Sequence, residues 1–266
     1  MKNIRQPAVA GMFYPADSVE LREMVQGFLA HASRDGRLPK AIITPHAGLI
    51  YSGPIAASAY ARLYAGQAQI ERVVLLGPSH RVPFHGLAIT DAESFRTPLG
   101  DIEVDQESLA QIDDLPQVNL LPAAHESEHS LEVQLPFLQL VLNDFKLLPL
   151  VVGEASGEEV AEVLQRLWGG PETLIVISSD LSHYHDYLTA QKMDRATSEA
   201  IVTLHPESID YEDACGRIPV KGLLNRARRE GLEGELVDLR NSGDTAGPRN
   251  QVVGYGAYVF TQQDAA

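Results

Sequence analysis

Two histidines in this sequence each follow a short apolar run that a proline closes. His46 lies in IITPHAGLIYSG (42–53), and His80 ends VVLLGPSH (73–80). An apolar run of about four to eight residues, interrupted by Pro and Gly, is typical of a buried strand and the tight loop after it. Because loops at the carboxyl ends of strands form the ligand crevice of an α/β sheet, we expect the two imidazoles to converge.

Two further segments repeat this pattern. The run TLIVISSD (173–180) ends in Asp180, with His183 and His185 just after it, and RNSGD (240–244) precedes the last apolar run. A single residue of this kind is most simply a capping or hydrogen-bonded loop residue. Its repetition at four predicted strand ends favours a functional site.

Metal binding is the chemistry that this set of residues would support. Two histidines and one carboxylate leave several positions of an ion open, as in non-haem Fe(II) oxygenases. His46 and His80 are the predicted nitrogen ligands, and Asp244 is the predicted oxygen ligand, with Asp180 as a less favoured substitute. Fe(II) is the predicted metal, and zinc and copper also suit imidazole. The alternatives are loop hydrogen bonds alone or a metal-free acid–base pocket.

The segment HESEH (125–129) matches H-E-x-x-H, which on a helix holds zinc between two histidines. Pro122 lies just upstream and would place the motif in a first turn, so we predict that His125 and His129 do not share an ion. The overlapping EHSLE places His129 and Glu132 three residues apart, where both side chains can face one crevice. An acidic helix start is the alternative interpretation.

Two more candidates concern proton transfer and nucleophilic attack. In SSDLSH, Asp180 and His183 form a predicted acid–base pair, because histidine titrates near neutral pH and a neighbouring carboxylate fixes its tautomer. Cys215, in ACGRIPV, is a nucleophile in principle. A lone cysteine beside glycine is more commonly a small buried residue.

The charge and the cysteine content restrict the partners and the compartment. The 266 residues include 36 acidic and 21 basic ones, for a net charge of −15, which argues against nucleic acid or an anionic membrane as a partner. One cysteine permits neither an intrachain disulfide nor a Cys-cluster zinc site. We find no signal-peptide core and no apolar run of about 18 residues, and we expect a cytoplasmic protein.

Strand and helix patterns alternate along the chain. A predicted strand at 41–44, a helix with Pro54 in its first turn and a strand at 73–76 form a βαβ unit, the signature of a parallel pair. We therefore predict an α/β fold, a single domain over residues 1–266 that forms a three-layer α/β/α sandwich with a mixed, mostly parallel central sheet. One long helix is predicted at 131–142.

Eight motifs in order resemble those of the Memo family, whose prokaryotic members are often named AmmeMemoRadiSam system protein B. The motifs extend from about Pro7 to Phe260 and read PAVAGMFYP, TPHAGLIYSG, LLGPSH, EHSLEVQLPFL, ISSDLSHY, ACGRIPVKGLL, NSGDTAG and VVGYGAYVF. The family is related in fold to class III extradiol ring-cleaving dioxygenases. The resemblance therefore implies an α/β/α sandwich with a mixed sheet.

The resemblance also implies roles for individual residues. His46 and His80 match the metal-type histidines, and Asp180, His183 and His129 surround the same pocket. It places the third ligand, a glutamate in the dioxygenase relatives and a cysteine in animal Memo proteins, in the loop that corresponds to NSGDTAG. This chain has Asp244 or its neighbour Thr245 there, which favours a hard or borderline metal.

The function that the resemblance implies is less specific. Family members are described as metal-dependent redox proteins and, in animals, as adaptors for phosphotyrosine peptides, while the prokaryotic name implies a radical-SAM protein and an AMMECR-type protein as partners. We expect an iron-dependent, dioxygenase-like oxidoreductase with a small-molecule or peptide ligand. A peptide-binding module without catalysis and a zinc-dependent hydrolase are the alternatives, since fold alone does not establish the reaction.

Overall fold

Two β-sheets form the framework of residues 3–262, the part of the chain that the computed structural model describes. Nine strands make the main sheet and three make a small one. The strands are β1 (Ile4–Arg5), β2 (Ala41–Thr44), β3 (Arg72–Pro78), β4 (Leu87–Ile89), β5 (Ser94–Thr97), β6 (Gly100–Glu103), β7 (Val118–Leu120), β8 (Lys146–Val152), β9 (Thr173–Ser178), β10 (His183–His185), β11 (Leu232–Asn241) and β12 (Val252–Gln262).

The main sheet is mixed, with a parallel centre. Its strand order is β10-β12-β2-β9-β3-β8-β4-β7, and β11 pairs with β12 outside this path. The four central strands β2, β9, β3 and β8 are parallel, whereas β12 joins β2 and β4 joins β8 in antiparallel fashion. The small sheet has the order β1-β5-β6. The carboxyl ends of the central strands therefore lie at one edge of the sheet.

Helices pack on both faces of the main sheet and complete the predicted three-layer sandwich. The helices are α1 (Ser18–His31), α2 (Leu49–Tyr60), α3 (Gln106–Leu109), α4 (Ala123–Glu126), α5 (Leu135–Val141), α6 (Gly157–Leu167), α7 (Tyr187–Val202) and α8 (Arg217–Glu230). One group consists of α1, α2 and α5, which contact one another, with α2 against β2 and β12. The other contains α6 against α8, with α8 on β3 and β9. The predicted fold class is confirmed.

The central strands are buried almost throughout, apart from the first residues of β3 and β8. Every residue of β2 and β9 is buried, without the alternation of a half-exposed strand, because helices cover both faces. Their apolar side chains belong to one hydrophobic cluster whose members range from Val9 to Phe260. Within the described residues, no helix combines the length and the apolar character that crossing a membrane would take.

The segment at 131–142 differs from the single helix that the sequence predicts. Glu132–Gln134 form a turn of 3₁₀ helix, and α5 follows with Pro136 in its first turn. Proline fits there because its missing N–H would have no helical partner at that position. The tighter turn before it separates His129 from α5, so the spacing of a continuous helix does not apply across EHSLE.

Candidate metal centre at the strand ends

Three neighbouring parallel strands deliver His46, His80 and Asp180 to one place. Each of these residues comes two positions after the last residue of its strand, β2, β3 or β9. β9 lies between β2 and β3, so the strand end that carries Asp180 lies between the two that carry the histidines. The ring centroids of His46 and His80 are 5.3 Å apart. The structure thus brings the two predicted nitrogen ligands together.

Hydrogen bonds fix the tautomer of His46. Its Nδ1 lies 2.8 Å from Ser178 Oγ, which donates its single proton to the carbonyl of Ser130 (2.6 Å) and accepts from Gln134 Nε2 (2.7 Å). Ser178 therefore has no proton left for His46, so His46 Nδ1 carries the hydrogen and donates it. The lone pair of His46 is on Nε2.

Gln134 has an equally well-defined orientation. Its Nε2 donates to the carbonyl of Pro45 (2.9 Å), and its Oε1 accepts from Thr44 Oγ1 (2.9 Å) and Tyr60 Oη (2.9 Å). A carbonyl only accepts, so the amide cannot be reversed. This fully buried glutamine from the 3₁₀ turn, which we did not single out in the sequence, positions His46 through Ser178.

A buried carboxylate orients His80. Glu128 Oε1 is 2.8 Å from His80 Nδ1, and its Oε2 accepts from the backbone N–H of His80 at 2.6 Å. Burial alone would raise the pKa of Glu128, but the hydrogen bonds and charge of His80 and a bond from Ser130 N–H lower it to about 2. The carboxylate is therefore an acceptor and His80 Nδ1 carries the hydrogen, which leaves His80 Nε2 as the ring atom that could bind an ion.

His129 completes a cluster of three imidazoles. Its ring stacks on that of His80 with centroids 4.6 Å apart and lies edge-on to His46 at 5.5 Å. Burial is the main cause that lowers the pKa of His129, so the ring is neutral at neutral pH. His129 Nδ1 is buried without a hydrogen-bond partner, 3.4 Å from Glu128 Oε1. His129 thus lies in the same cavity wall as His46 and His80.

Cys215 offers a third possible donor beside the two histidines, a role that the sequence interpretation did not give it, since it named Cys215 only as a nucleophile in principle. Its Sγ lies 3.4 Å from His46 Nε2, and His46, His80 and Cys215 each offer a ligand atom within 4.8 Å of the others. The thiol comes from the loop before α8 rather than from a strand end, so the strand-end pattern could not find it. Burial, and next the charge of Asp180, raise the pKa of the Cys215 thiol.

Asp244, the predicted oxygen ligand, has a different role. Its Oδ1 accepts from Tyr187 Oη (2.5 Å), and its Oδ2 accepts from the backbone N–H of Asn241 (3.1 Å), which closes a capping box on the 3₁₀ turn Ser242–Asp244. It belongs to no group of candidate ligands among the described residues. Among the described residues, Cys215 rather than Asp244 stands with His46 and His80 in a group of candidate ligands.

Glu132, predicted as a pocket residue, points instead into the protein. Its fully buried carboxylate forms an ion pair with Arg5 and accepts from the backbone N–H groups of Ala8 (2.7 Å) and Val9 (3.0 Å) and from Tyr14 Oη (2.5 Å). These four donors occupy its oxygens, so it fixes the N-terminal arm and does not face the crevice. The 3₁₀ turn accounts for this orientation.

Asp180 and His183 both face the site but do not form the predicted hydrogen-bonded pair. Asp180 Oδ1 accepts from the backbone N–H of His46 at 2.7 Å, and no hydrogen bond joins it to His183 among the described residues. Burial raises the pKa of Asp180 despite the opposing charge of His183. The pairing of β10 with β12 is irregular at Tyr184, whose φ of 62° is left-handed, and His183 beside it lines the same cavity as the histidine cluster.

The zinc-protease interpretation of HESEH finds no support in the structure. α4 ends at Glu126, so the motif does not lie on a continuous helix. His125 Nε2 donates to the carbonyl of Ala88 (3.0 Å) on β4, and no group of candidate ligands among residues 3–262 contains His125. His125 is therefore a core residue, in line with our prediction that it does not share an ion with His129.

A cavity of about 840 Å³ opens onto the histidine cluster and Cys215. Met12 and Phe13 of the N-terminal arm, and the rings of Tyr51 and Tyr255, form part of its wall. Phe13 contacts His129, with ring centroids 4.8 Å apart. A small molecule bound in this cavity would therefore touch both an apolar surface and the possible ligand atoms.

The fold and the site together define an α/β/α protein with a histidine-lined pocket at the ends of parallel strands. The family of Memo-like proteins matches residues 5–259. A MEMO1 family protein of Aquifex aeolicus is 38% identical, over 97% of this chain and 99% of that protein, and one of Methanopyrus kandleri is 36% identical, over 96% and 98%. The chain belongs to the Memo family, and the resemblance of its motifs is confirmed.

A solved structure resembles this fold at lower identity. An uncharacterized protein of Escherichia coli K12 aligns with a TM-score of 0.55 and 13% identity, over 84% of this chain and 100% of that chain. This likeness concerns the fold alone. The identity of the metal and the reaction have to be argued from the site.

Proposed function

We propose that the protein is a metal-dependent oxidoreductase whose His46, His80 and Cys215 bind one redox-active transition metal ion, iron or copper. One observation carries this proposal. The Nδ1 atoms of both histidines donate to Ser178 and Glu128, so both Nε2 atoms remain available to bind an ion beside the thiol. Metal-binding histidines commonly donate their other N–H to such a partner.

The donor set fits a transition metal. Imidazole suits iron, copper and zinc, and a thiolate is a softer donor than the carboxylate that the sequence suggested. The exchange of Asp244 for Cys215 moves the expected preference from Fe(II) towards Cu(I) and Zn(II). A thiol must lose its proton to bind, and a bound cation favours that loss although burial raises the pKa of Cys215. A thiol ligand also suits a reducing compartment, and we retain the cytoplasm as our proposal.

The other pocket residues would act on a substrate. The bound ion would supply a Lewis-acidic, redox-active centre with open positions. Burial and the neighbouring His80 and His129 hold the pKa of His46 well below its usual 6.5, which keeps this donor neutral. The neutral ring of His129 can accept a proton, and His183 offers a second imidazole on the same cavity.

Metal loading under anaerobic conditions tests the proposal. Wild type should bind Fe(II) or Cu(I) in a one-to-one ratio in calorimetric titrations. His46→Ala, His80→Ala and Cys215→Ala should each weaken binding by more than the roughly 10–100-fold that is typical of losing an outer partner. His185→Ala, on the same strand as His183 but outside the cavity wall, is the matched control. Absence of binding would overturn the proposal, and binding of zinc alone would favour the hydrolase alternative.

A second candidate function is that of a protein-binding module, which the mouth of the cavity favours. Met12, Tyr184 and Tyr211 line it and are 72%, 71% and 72% exposed. Large exposed apolar side chains that lie together are typical of protein contact sites. The radical-SAM and AMMECR-type partners that the family name implies are proposals of this kind. Tyr211→Asp should weaken such a complex in size-exclusion binding assays without loss of metal affinity.

A further inference from the structure

Arg217 is a cationic side chain that lines the cavity and has unfilled donors. Its guanidinium makes no hydrogen bond among the described residues, and its only ion pair there is a 3.8 Å contact with Glu154, whose side chain is 69% exposed. Only 22% of the Arg217 side chain is exposed. A guanidinium has five N–H donors arranged for bidentate binding of an anion. Such a group, held at a cavity wall, is available to a ligand.

The local structure fixes Arg217 close to the thiol. The guanidinium lies over the ring of Tyr211, 4.6 Å from its centroid. Gly216, between Cys215 and Arg217, donates from its N–H to Ser179 Oγ (3.0 Å), and a Cβ on Gly216 would lie only 2.6 Å from the Ser179 side chain. Because glycine permits this close packing, the Cys215 thiol and the Arg217 guanidinium both lie near the carboxyl end of β9.

Arg217 also stands where two cavities meet. The large cavity and a smaller one of about 260 Å³ share Glu154, Cys215 and Arg217 in their walls. α8 begins at Arg217 without a side-chain cap, so the positive end of its helix dipole adds to the charge of the guanidinium there. An anion at this junction would lie beside the candidate metal ligands.

The charges of the wall limit the charge of the ligand. Among the described residues, Asp180, Glu154 and Glu212 are the carboxylates of the large cavity, and Arg217 is its one arginine or lysine. One guanidinium among several carboxylates matches a single negative charge better than a dianion, because like charges repel. This balance favours a carboxylate over a phosphate.

The remaining wall suits a flat, apolar ligand body. Phe13, Tyr51 and Tyr255 present rings to the same cavity, and Tyr255 is almost completely buried. Aromatic side chains contact planar groups by stacked or edge-to-face packing. Resting on the proposed function of this site, we propose that its substrate is a small carboxylic acid with a planar apolar body, and that Arg217 binds the carboxylate.

Binding of simple probes to metal-stripped protein tests this inference separately from metal binding. Benzoate carries the proposed features, benzamide is its neutral counterpart, and inorganic phosphate tests the other anion class. Calorimetry should show benzoate binding at least tenfold more tightly than benzamide and more tightly than phosphate. Arg217→Gln should weaken benzoate binding roughly 10–100-fold, the scale of a charge-assisted hydrogen bond, and leave benzamide binding unchanged. Arg217→Lys should fall between the two, because it keeps the charge without the bidentate geometry.

A matched control exists in Arg249. It stacks on Tyr187 at 4.5 Å and lies 3.9 Å from Asp244, much as Arg217 does with Tyr211 and Glu154, but it is not part of the cavity wall. Arg249→Gln should therefore leave benzoate affinity unaltered. Equal affinities of wild type and Arg217→Gln for benzoate would overturn the inference, as would tighter binding of phosphate. Because the probes are titrated into metal-stripped protein, benzoate binding and metal binding are measured separately, so the proposed function and this inference can fail independently.

Discussion

Glu128 and Glu132 are four residues apart, and both are buried, yet they serve different regions of the molecule. Glu128 accepts from the ring and backbone of His80 and from the N–H groups of His129 and Ser130. Glu132 pairs with Arg5 and holds the N-terminal arm. One carboxylate positions a candidate metal ligand, and the other holds a wall of the cavity in place.

The difference shows that the partner of a buried carboxylate determines what it does. An imidazole beside Glu128 gains orientation and keeps a lone pair for an ion, as the second partner of a metal-binding histidine does. A guanidinium beside Glu132 can only donate, so that pair is structural. Arg5 joins the two regions, because its Nη2 also donates to the carbonyl of Glu128 at 2.5 Å.

The largest effect should come from removing the charge of Glu132. Glu132→Gln leaves Arg5 buried without a counter-ion, and breaking a buried pair from one side costs about 3–5 kcal/mol of unfolding free energy. Urea denaturation measures this loss, and the exposed Glu126→Gln is the control with the same chemical change. Metal affinity of the folded variant should stay near that of wild type. A drop in affinity larger than that of Glu128→Gln would return Glu132 to the catalytic role that the sequence suggested.

Asp194 is another buried carboxylate that can be compared with Glu128 and Glu132. It has no cationic partner among the described residues. Its Oδ1 accepts from the N–H of Ser182 at 3.0 Å, but burial dominates and raises the pKa of Asp194 from 3.8 to about 6. Because the pKa of Asp194 is higher in the folded state, its protonation contributes stability at pH values below 3.8. This contribution is lost as the pH rises through about 6.

Asp194→Asn should therefore stabilise the protein increasingly with pH. The unfolding free energy of the variant minus that of wild type should grow between pH about 4 and 7, by up to about 3 kcal/mol for a shift of roughly two pKa units. Chemical denaturation across this pH range gives the difference, in which the titrations common to both proteins cancel. A constant difference would mean that Asp194 has a similar pKa in the folded and unfolded states.

Removal of the charge of Glu128 should affect the site more than the fold. Glu128→Gln takes away the acceptor that holds His80 Nδ1–H, and loss of such a partner lowers metal affinity by about 10–100-fold. Anaerobic titration of the variant beside Glu132→Gln separates the two glutamates. If both variants bound the ion as wild type does, His80 would not be a ligand.

The sequence predicted the framework of this site better than its full set of donors. Apolar runs that end in Pro or Asp correctly placed His46, His80 and Asp180, because parallel strands deliver their carboxyl ends to one edge. The position of Cys215 beside the histidines and any role of Gln134 were not predicted, since each reaches the site from a loop or a 3₁₀ turn by tertiary packing. Nothing in local periodicity encodes such contacts.

Substitution of Asp244 should have the smallest effect on metal affinity and stability. Donor chemistry inferred from the sequence alone predicts instead that Asp244→Asn lowers Fe(II) affinity at least tenfold. In the structure its carboxylate accepts from Tyr187 Oη and the N–H of Asn241, and Asn keeps one acceptor of the same shape. Asp244→Asn should therefore change metal affinity less than about twofold and cost no more than about 1 kcal/mol of stability, the scale of a weakened cap. Metal titrations of Asp244→Asn and Cys215→Ala should be compared. Cys215→Ala should lose much more affinity, because the Cys215 thiol lies 3.4 Å from His46 Nε2. A tenfold weaker Fe(II) complex in the Asn variant, with Cys215→Ala unaffected, would show that the 240–244 loop supplies the third ligand after all.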